Sequence, residues 1–169
     1  MATKQRAQDP VDVHMAEWPA ELEGIDLDVE AAVQRMQRIV KAISRRMDDT
    51  LREFDLSDGE WWVLAHLTMT GPPYRSSPGQ LAGKQSLSSG AMTNRLDRLE
   101  EADLIKRLPD PNDRRALYVE LTDKGHKVWM DALGAQASKE AVLASALTRK
   151  ELGQLNDLLR KVVLEFEGG

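Results

Sequence analysis

Residues 87–125 read LSSGAMTNRLDRLEEADLIKRLPDPNDRRALYVELTDKG, and this stretch decides the fold. A hydroxyl residue, Ser88 or Ser89, opens it in the manner of a helix N-cap. Met92, Leu96 and Leu99 then fall at intervals of four and three, which places them on one face of a helix. That helix is expected to end at Ala102–Asp103. Two short apolar runs follow, Leu104–Leu108 and Ala116–Leu121. The second alternates strictly, with Leu117, Val119 and Leu121 opposed to Tyr118 and Glu120, as a half-buried strand does. Between the runs lies Pro109-Asp110-Pro111-Asn112-Asp113-Arg114-Arg115, charged and rich in turn formers. The pattern predicts a β-hairpin with an exposed tip.

Working outward, three capping boxes mark helix starts: Ser57…Glu60, Ser77…Gln80 and Thr148…Glu151. In each, a hydroxyl residue and an acid or amide three positions later satisfy one another's free backbone N–H groups. Leu56 and Trp61 are placed as a hydrophobic staple on the first. The predicted helices are Asp58–Thr70, broken by Gly71-Pro72-Pro73, and Pro78–Lys84, with proline at the first helical position. Two short helices followed by a hairpin make a winged helix-turn-helix.

Long helices are expected on both sides. Val29, Val33, Met36, Val40, Ile43, Met47, Leu51 and Phe54 form a near-heptad stripe. Downstream, one helix is predicted from Asp123 to Ala146. A last one follows Thr148, with Leu152, Leu155, Leu159, Val162 and Phe166 in heptad spacing. The central unit is too small to cover these stripes. Pairing with the same helices of a second chain would bury them; packing within one subunit is the other reading. Near the N-terminus, Asp9-Pro10 reads as a cap and first helical residue. A short helix should run from Val11 towards Trp18, with Val11, Met15 and Trp18 on one face, and Pro19 should end or kink it. The expected organisation is an extension over 1–28, a dimerisation helix over 29–55, a winged helix-turn-helix over 56–121 and C-terminal dimerisation helices over 122–169. The fold class is mainly α with a small β wing.

The net charge of −5 is unevenly distributed. Residues 75–115 carry 8 basic and 6 acidic side chains, a balance of +2, and are the only net-positive segment. With no cysteine, disulfides and thiolate metal sites are excluded. His14, His66 and His126 sit in no catalytic or ligand spacing, there is no glycine-rich phosphate loop, and no catalytic site, cofactor or metal is expected. No apolar run approaches the roughly 20 residues of a membrane span. The polar N-terminus lacks a signal-peptide core. A cytoplasmic protein with no membrane partner is expected.

The helix over Ser89–Ala102 is the candidate recognition helix. Opposite its apolar stripe stand Ser89, Gly90, Thr93, Asn94 and Asp97, small and polar enough to enter a major groove. Ser88, Ser89, Thr93 and Asn94 are candidates for DNA contact at its N-terminal end, and Arg95 and Arg98 flank it. Arg114 and Arg115 at the hairpin tip suit a narrow minor groove, where negative potential concentrates, with Asp113 bracing one guanidinium. Arg75, Ser76 and Gln80 are placed to reach phosphates, which position a protein without reading sequence.

The segment from Leu56 to about Gly125 resembles the MarR family of bacterial transcriptional regulators. The likeness is carried by residues 87–100, by Arg107–Arg115 and by Leu121-Thr122-Asp123-Lys124-Gly125. It implies an obligate homodimer, formed through the terminal helices, that binds a pseudo-palindromic duplex operator and usually represses. Many members release DNA when a small molecule binds between the dimerisation and DNA-binding regions. The extension containing Trp18, and Gly71–Pro78, resemble the PecS-like branch, several of whose members answer to urate. By that resemblance Trp18, Ser77 and Arg95 match three ligand-site positions. The fourth, acidic in the branch, falls at Trp62. An indole cannot replace a carboxylate facing purine N–H groups, so urate, a different anion and no ligand all stay open. Two further readings remain: a winged-helix protein-interaction module without DNA affinity, and a metal-responsive sensor using His14, His66 and acids such as Glu17.

Overall fold

The computed structural model describes residues 7–18, 24–109 and 117–168. The chain divides into two compact units, residues 1–45 and 46–169, taken in turn.

In the first unit, α1 spans Pro10–Ala16 and α2 begins at Leu27, running through to Glu53. Asp9 caps α1, accepting from the N–H groups of Val11 at 2.7 Å and Asp12 at 3.0 Å, while the Asp12 carboxylate accepts from the Asp9 N–H at 2.9 Å. The Asp9-Pro10 start therefore holds. The expected reach to Trp18 does not: α1 stops at Ala16, with Glu17 as its C-cap. Trp18 lies beyond the helix, and its indole N–H donates to His14 Nε2 at 3.2 Å. Pro19 lies outside the described residues. Arg35 of α2 clasps α1 through Asp9 at 2.8 Å and Asp12 at 2.5 Å, and Val11 is buried. The start of α2 is capped by Asp26, whose carboxylate accepts from the N–H groups of Asp28 and Val29.

The second unit is the winged helix-turn-helix with its C-terminal helices. After the end of α2 come α3 (Asp58–Met69), β1 (Arg75–Ser76), α4 (Pro78–Lys84), α5 (Ser89–Glu101), β2 (Ile105–Pro109), β3 (Leu117–Leu121), α6 (Asp123–Glu140), α7 (Val142–Ala146) and α8 (Arg149–Glu167). All three capping boxes form. The core gathers Leu51, Leu56, Val63, Leu64, Leu67, Leu81, Met92, Leu96, Leu99, Ile105, Val119, Leu121 and Trp129. The stripe of α5 is fully buried, as its spacing requires. Thr50, at the buried end of α2, donates to Arg46 O at 2.9 Å and lies 3.1 Å from Gln136 Oε1 of α6.

Two features depart from the sequence reading. The hairpin has a third strand: β1 pairs antiparallel with β3, in the order β1-β3-β2, with Arg75 opposite Glu120 and Ser76 opposite Val119. The single helix expected from Asp123 to Ala146 is interrupted at Ala141, between α6 and α7. No glycine or proline marks that break.

The long apolar stripes are largely uncovered. Val29, Val40 and Ile43 of α2, and Leu159, Val162 and Phe166 of α8, are exposed, Phe166 at 84%. Among the described residues no helix is long and apolar enough to cross a membrane.

Candidate nucleic-acid interface

Helix α5 starts where Ser88 Oγ accepts from the Ala91 N–H at 3.3 Å. This cap turns the first residues of the helix outward. Ser89, Gly90, Thr93 and Asn94 are all exposed on the side opposite Met92, Leu96 and Leu99. The Thr93 hydroxyl donates back to Ser89 O at 2.9 Å. The Asn94 side chain makes no hydrogen bond among the described residues, so both ends of its amide are available to a partner.

The wing grips this helix through one arginine. Arg107 of β2 lies 2.7 Å from Asp97 and 2.6 Å from Glu100 of α5. Its backbone N–H donates to Glu100 Oε1 at 3.0 Å, and its guanidinium also approaches Thr93 O at 3.4 Å. Arg107 was not singled out from sequence. The signal was present: a basic residue on a strand directly after a helix whose last turns carry acids at i and i+3.

The flanking arginines are committed elsewhere. The Arg95 guanidinium bonds Gln85 Oε1 and lies over Gly59 of α3, where any Cβ would overlap it. Gln85 Nε2 in turn reaches Gly59 O at 3.5 Å. Arg98 Nε stands 3.1 Å from Glu60 Oε1. Glu60 is buried, and its other oxygen accepts from Ser57 N at 2.7 Å and Ser57 Oγ at 2.6 Å. The Arg98 side chain nonetheless remains 67% exposed.

On the central strand of the sheet, Glu120 receives both Arg75 and Lys106 from its two neighbours, the latter at 2.6 Å. These bonds, that of Lys106 foremost, hold its carboxyl below the ordinary glutamate value against the opposing effect of burial. Arg75 is exposed, as a phosphate contact must be. Ser76 is a correction: strand alternation turns it inward, it is 4% exposed, and its hydroxyl donates to Gln80 Oε1 at 3.2 Å. Its side chain is therefore not offered to a phosphate. Gln80 is exposed and spends its oxygen on Ser76 and the Ser77 N–H, which leaves its amide nitrogen to donate. Asp113, Arg114 and Arg115 lie outside the described residues.

Comparison with known proteins agrees with this geometry. Residues 56–117 match the MarR family. The chain is 30% identical over 146 residues to the HTH-type transcriptional regulator PecS of Dickeya dadantii, covering 86% of this chain and 88% of that one. The chain belongs to the MarR family. Its fold resembles YusO of Bacillus subtilis (TM-score 0.71, 25% identity, 80% of this chain and 95% of that one). It also resembles apo MarR of E. coli (TM-score 0.65, 27% identity, 76% and 93%). The function is that of a DNA-binding, helix-turn-helix transcriptional regulator.

Within this MarR-family chain the four expected ligand-site residues have the following settings. Trp18 bonds His14 in the first unit. In the second, Trp62 stacks on His66 at 5.2 Å and 3°, Ser77 caps α4, and Arg95 is held by Gln85. No hydrogen bond links Trp62, Ser77 and Arg95 to one another. Burial, with the nearby Lys84 charge, lowers the His66 imidazole below its ordinary value. Among the described residues no group of three or more His, Asp or Glu side chains is arranged to hold a metal.

Proposed function

We propose that this regulator acts as a homodimer on a pseudo-palindromic operator, with one recognition helix α5 in each of two major grooves and half-sites about one helical turn apart. The observation that carries this reading is the exposed, small polar face of Ser89, Thr93 and Asn94 on a helix braced against its own wing. Ser89, Thr93 and Asn94 take the base edges, with Ser88 at the entry. Arg98 reaches a base or phosphate, as does Arg95 if it leaves Gln85. Arg75 and Gln80 hold phosphates, and Arg114 or Arg115, braced by Asp113, enters the minor groove. The uncovered stripes of α2 and α8 support dimerisation, the terminal helices of one protomer covering those of its partner. The outcome at a promoter is repression. The role needs no catalytic step and is exercised in the cytoplasm, where the DNA is.

We further assign release to a small anionic effector bound by Trp18, Trp62, Ser77 and Arg95. Arg95 couples the two functions, because on α5 it can answer either Gln85 or DNA. An Arg95 substitution that leaves effector-induced release intact would remove it from that role.

The test is selection from pooled random duplex DNA at two salt concentrations. Enrichment of a palindrome, with binding that weakens as salt rises because phosphate contacts release counterions, is the expected result. No enrichment at either salt would favour a wing that serves a protein partner.

A further inference from the structure

The first unit contains an open concavity of about 570 Å³, lined by His14, Glu30, Gln34, Arg38, Lys41 and Arg45, with Gln37 beside them. We propose that it binds a small linear polyphosphate, inorganic or as the phosphate chain of a nucleotide. None of the residues assigned above to DNA or to the effector lines it, although the lining His14 is hydrogen-bonded to Trp18.

Arg38, Lys41 and Arg45 follow one another at three and four residues on α2, so they share a face and span roughly 10 Å at 1.5 Å per residue. Cations at this spacing repel one another. None has a carboxylate partner among the described residues, whereas Arg35, one turn earlier, is held by both Asp9 and Asp12. Asp9 and Asp12 of the α1 turn thus hold Arg35, while Arg38, Lys41 and Arg45 line the concavity without an ion pair among the described residues. Arg45 Nε donates to Lys41 O at 3.3 Å, which lays its guanidinium along the helix. The single lining carboxylate, Glu30, lies two turns before Arg38 and already accepts from Gln34 Nε2 at 3.2 Å.

A row of cations about 10 Å long, two of them arginines able to grip phosphate oxygens in pairs, suits an anion with charge distributed along a chain. His14 adds a donor. Its Nε2 accepts the Trp18 indole N–H, which leaves the ring proton on Nδ1. Round the helix, this face lies roughly 150° from the Val33–Met36–Val40–Ile43 stripe at 3.6 residues per turn. A partner helix covering that stripe leaves the cations accessible.

The experiment is isothermal titration of the full-length protein with inorganic triphosphate and with ATP, without magnesium and at fixed ionic strength. Both should bind with 1:1 stoichiometry per chain. The double variant Arg38→Gln, Arg45→Gln keeps good helix formers and should weaken both at least tenfold, while Lys161→Gln on α8 leaves both unchanged. ATP tighter than triphosphate would add recognition of the nucleoside end by Glu30 and Gln34; equal affinities would assign the site to the phosphate chain alone. Failure of both anions to bind would overturn the proposal. So would undiminished binding by a double variant whose circular dichroism matches wild type, or loss of duplex-DNA affinity in that variant with triphosphate binding retained.

Discussion

Arg107 of the wing and Asp97 of the recognition helix are joined at 2.7 Å, and Glu100 holds the same guanidinium from one turn further on. Beside the apolar core they share, the wing and α5 are tied by one side chain that is only 22% exposed. Arg107→Ala should weaken operator binding by about 1–2 kcal/mol, roughly five- to thirtyfold. Because Arg107 spends its charge on two carboxylates, the salt dependence should stay as in wild type. Arg115→Ala, by contrast, should lower the salt slope by about one. Fluorescence anisotropy across a salt series separates the two, and a reduced slope for Arg107→Ala would make it a phosphate contact instead.

Gly125 supplies a second test. A Cβ there would run into the backbone carbonyl of Leu104, which cannot move as a flexible side chain can. Its N–H also donates to the Thr122 hydroxyl oxygen at 2.9 Å, the cap that starts α6. Gly125→Ala should cost about 1–3 kcal/mol of stability by overpacking, read as a lower urea midpoint. An unchanged midpoint would show that α6 can shift without cost.

Gly59 has the opposite character. The atoms a Cβ would meet are the far end of Arg95. Gly59→Ala should therefore leave stability equal or up to about 0.5–1 kcal/mol higher, through reduced chain entropy, while displacing Arg95 from Gln85. Thermal unfolding reads the first effect, and the Arg95 side-chain NMR signals the second. Loss of stability would mean that the Arg95–Gln85 contact outweighs the entropy gained.

Acid should release α1 from α2. The Arg35 hydrogen bond, with the Asp12 N–H, holds the Asp9 carboxyl at about 2 rather than 3.8. Asp12 is lowered too, by the Asp9 N–H and then by Arg35. A depressed carboxylate contributes stability above its unfolded pKa and loses it as pH falls through its folded one. Amide-exchange protection at Val11 and Asp12 should be constant above about pH 5 and fall between about pH 4 and 2. Protection lost above pH 5 would point to another group.

What could be read in the sequence was local. The boxes at Ser57, Ser77 and Thr148 involve residues three apart, and each forms. The α5 stripe needs only helical spacing, and it is buried as expected. What could not be read depends on distant partners. β1 is two residues long and exists because Glu120 and Val119 lie opposite; that pairing also buries Ser76. Arg95 sits on the α5 flank by periodicity, yet Gln85 and Gly59, from other elements, decide where its long side chain ends. The end of α1 at Ala16 is similar: Trp18 could have extended an apolar face, but its indole N–H bonds His14.

The central claim is that α5 reads base edges through Asn94. Its most direct test is titration of the enriched operator and a scrambled duplex of equal length with wild-type protein and Asn94→Ala, at one salt concentration. Wild type should prefer the operator by about a thousandfold or more. Asn94→Ala should narrow that ratio by about 1–3 kcal/mol, mainly by losing operator affinity. Equal affinity of wild type for both duplexes, or a ratio unchanged by Asn94→Ala, would contradict it.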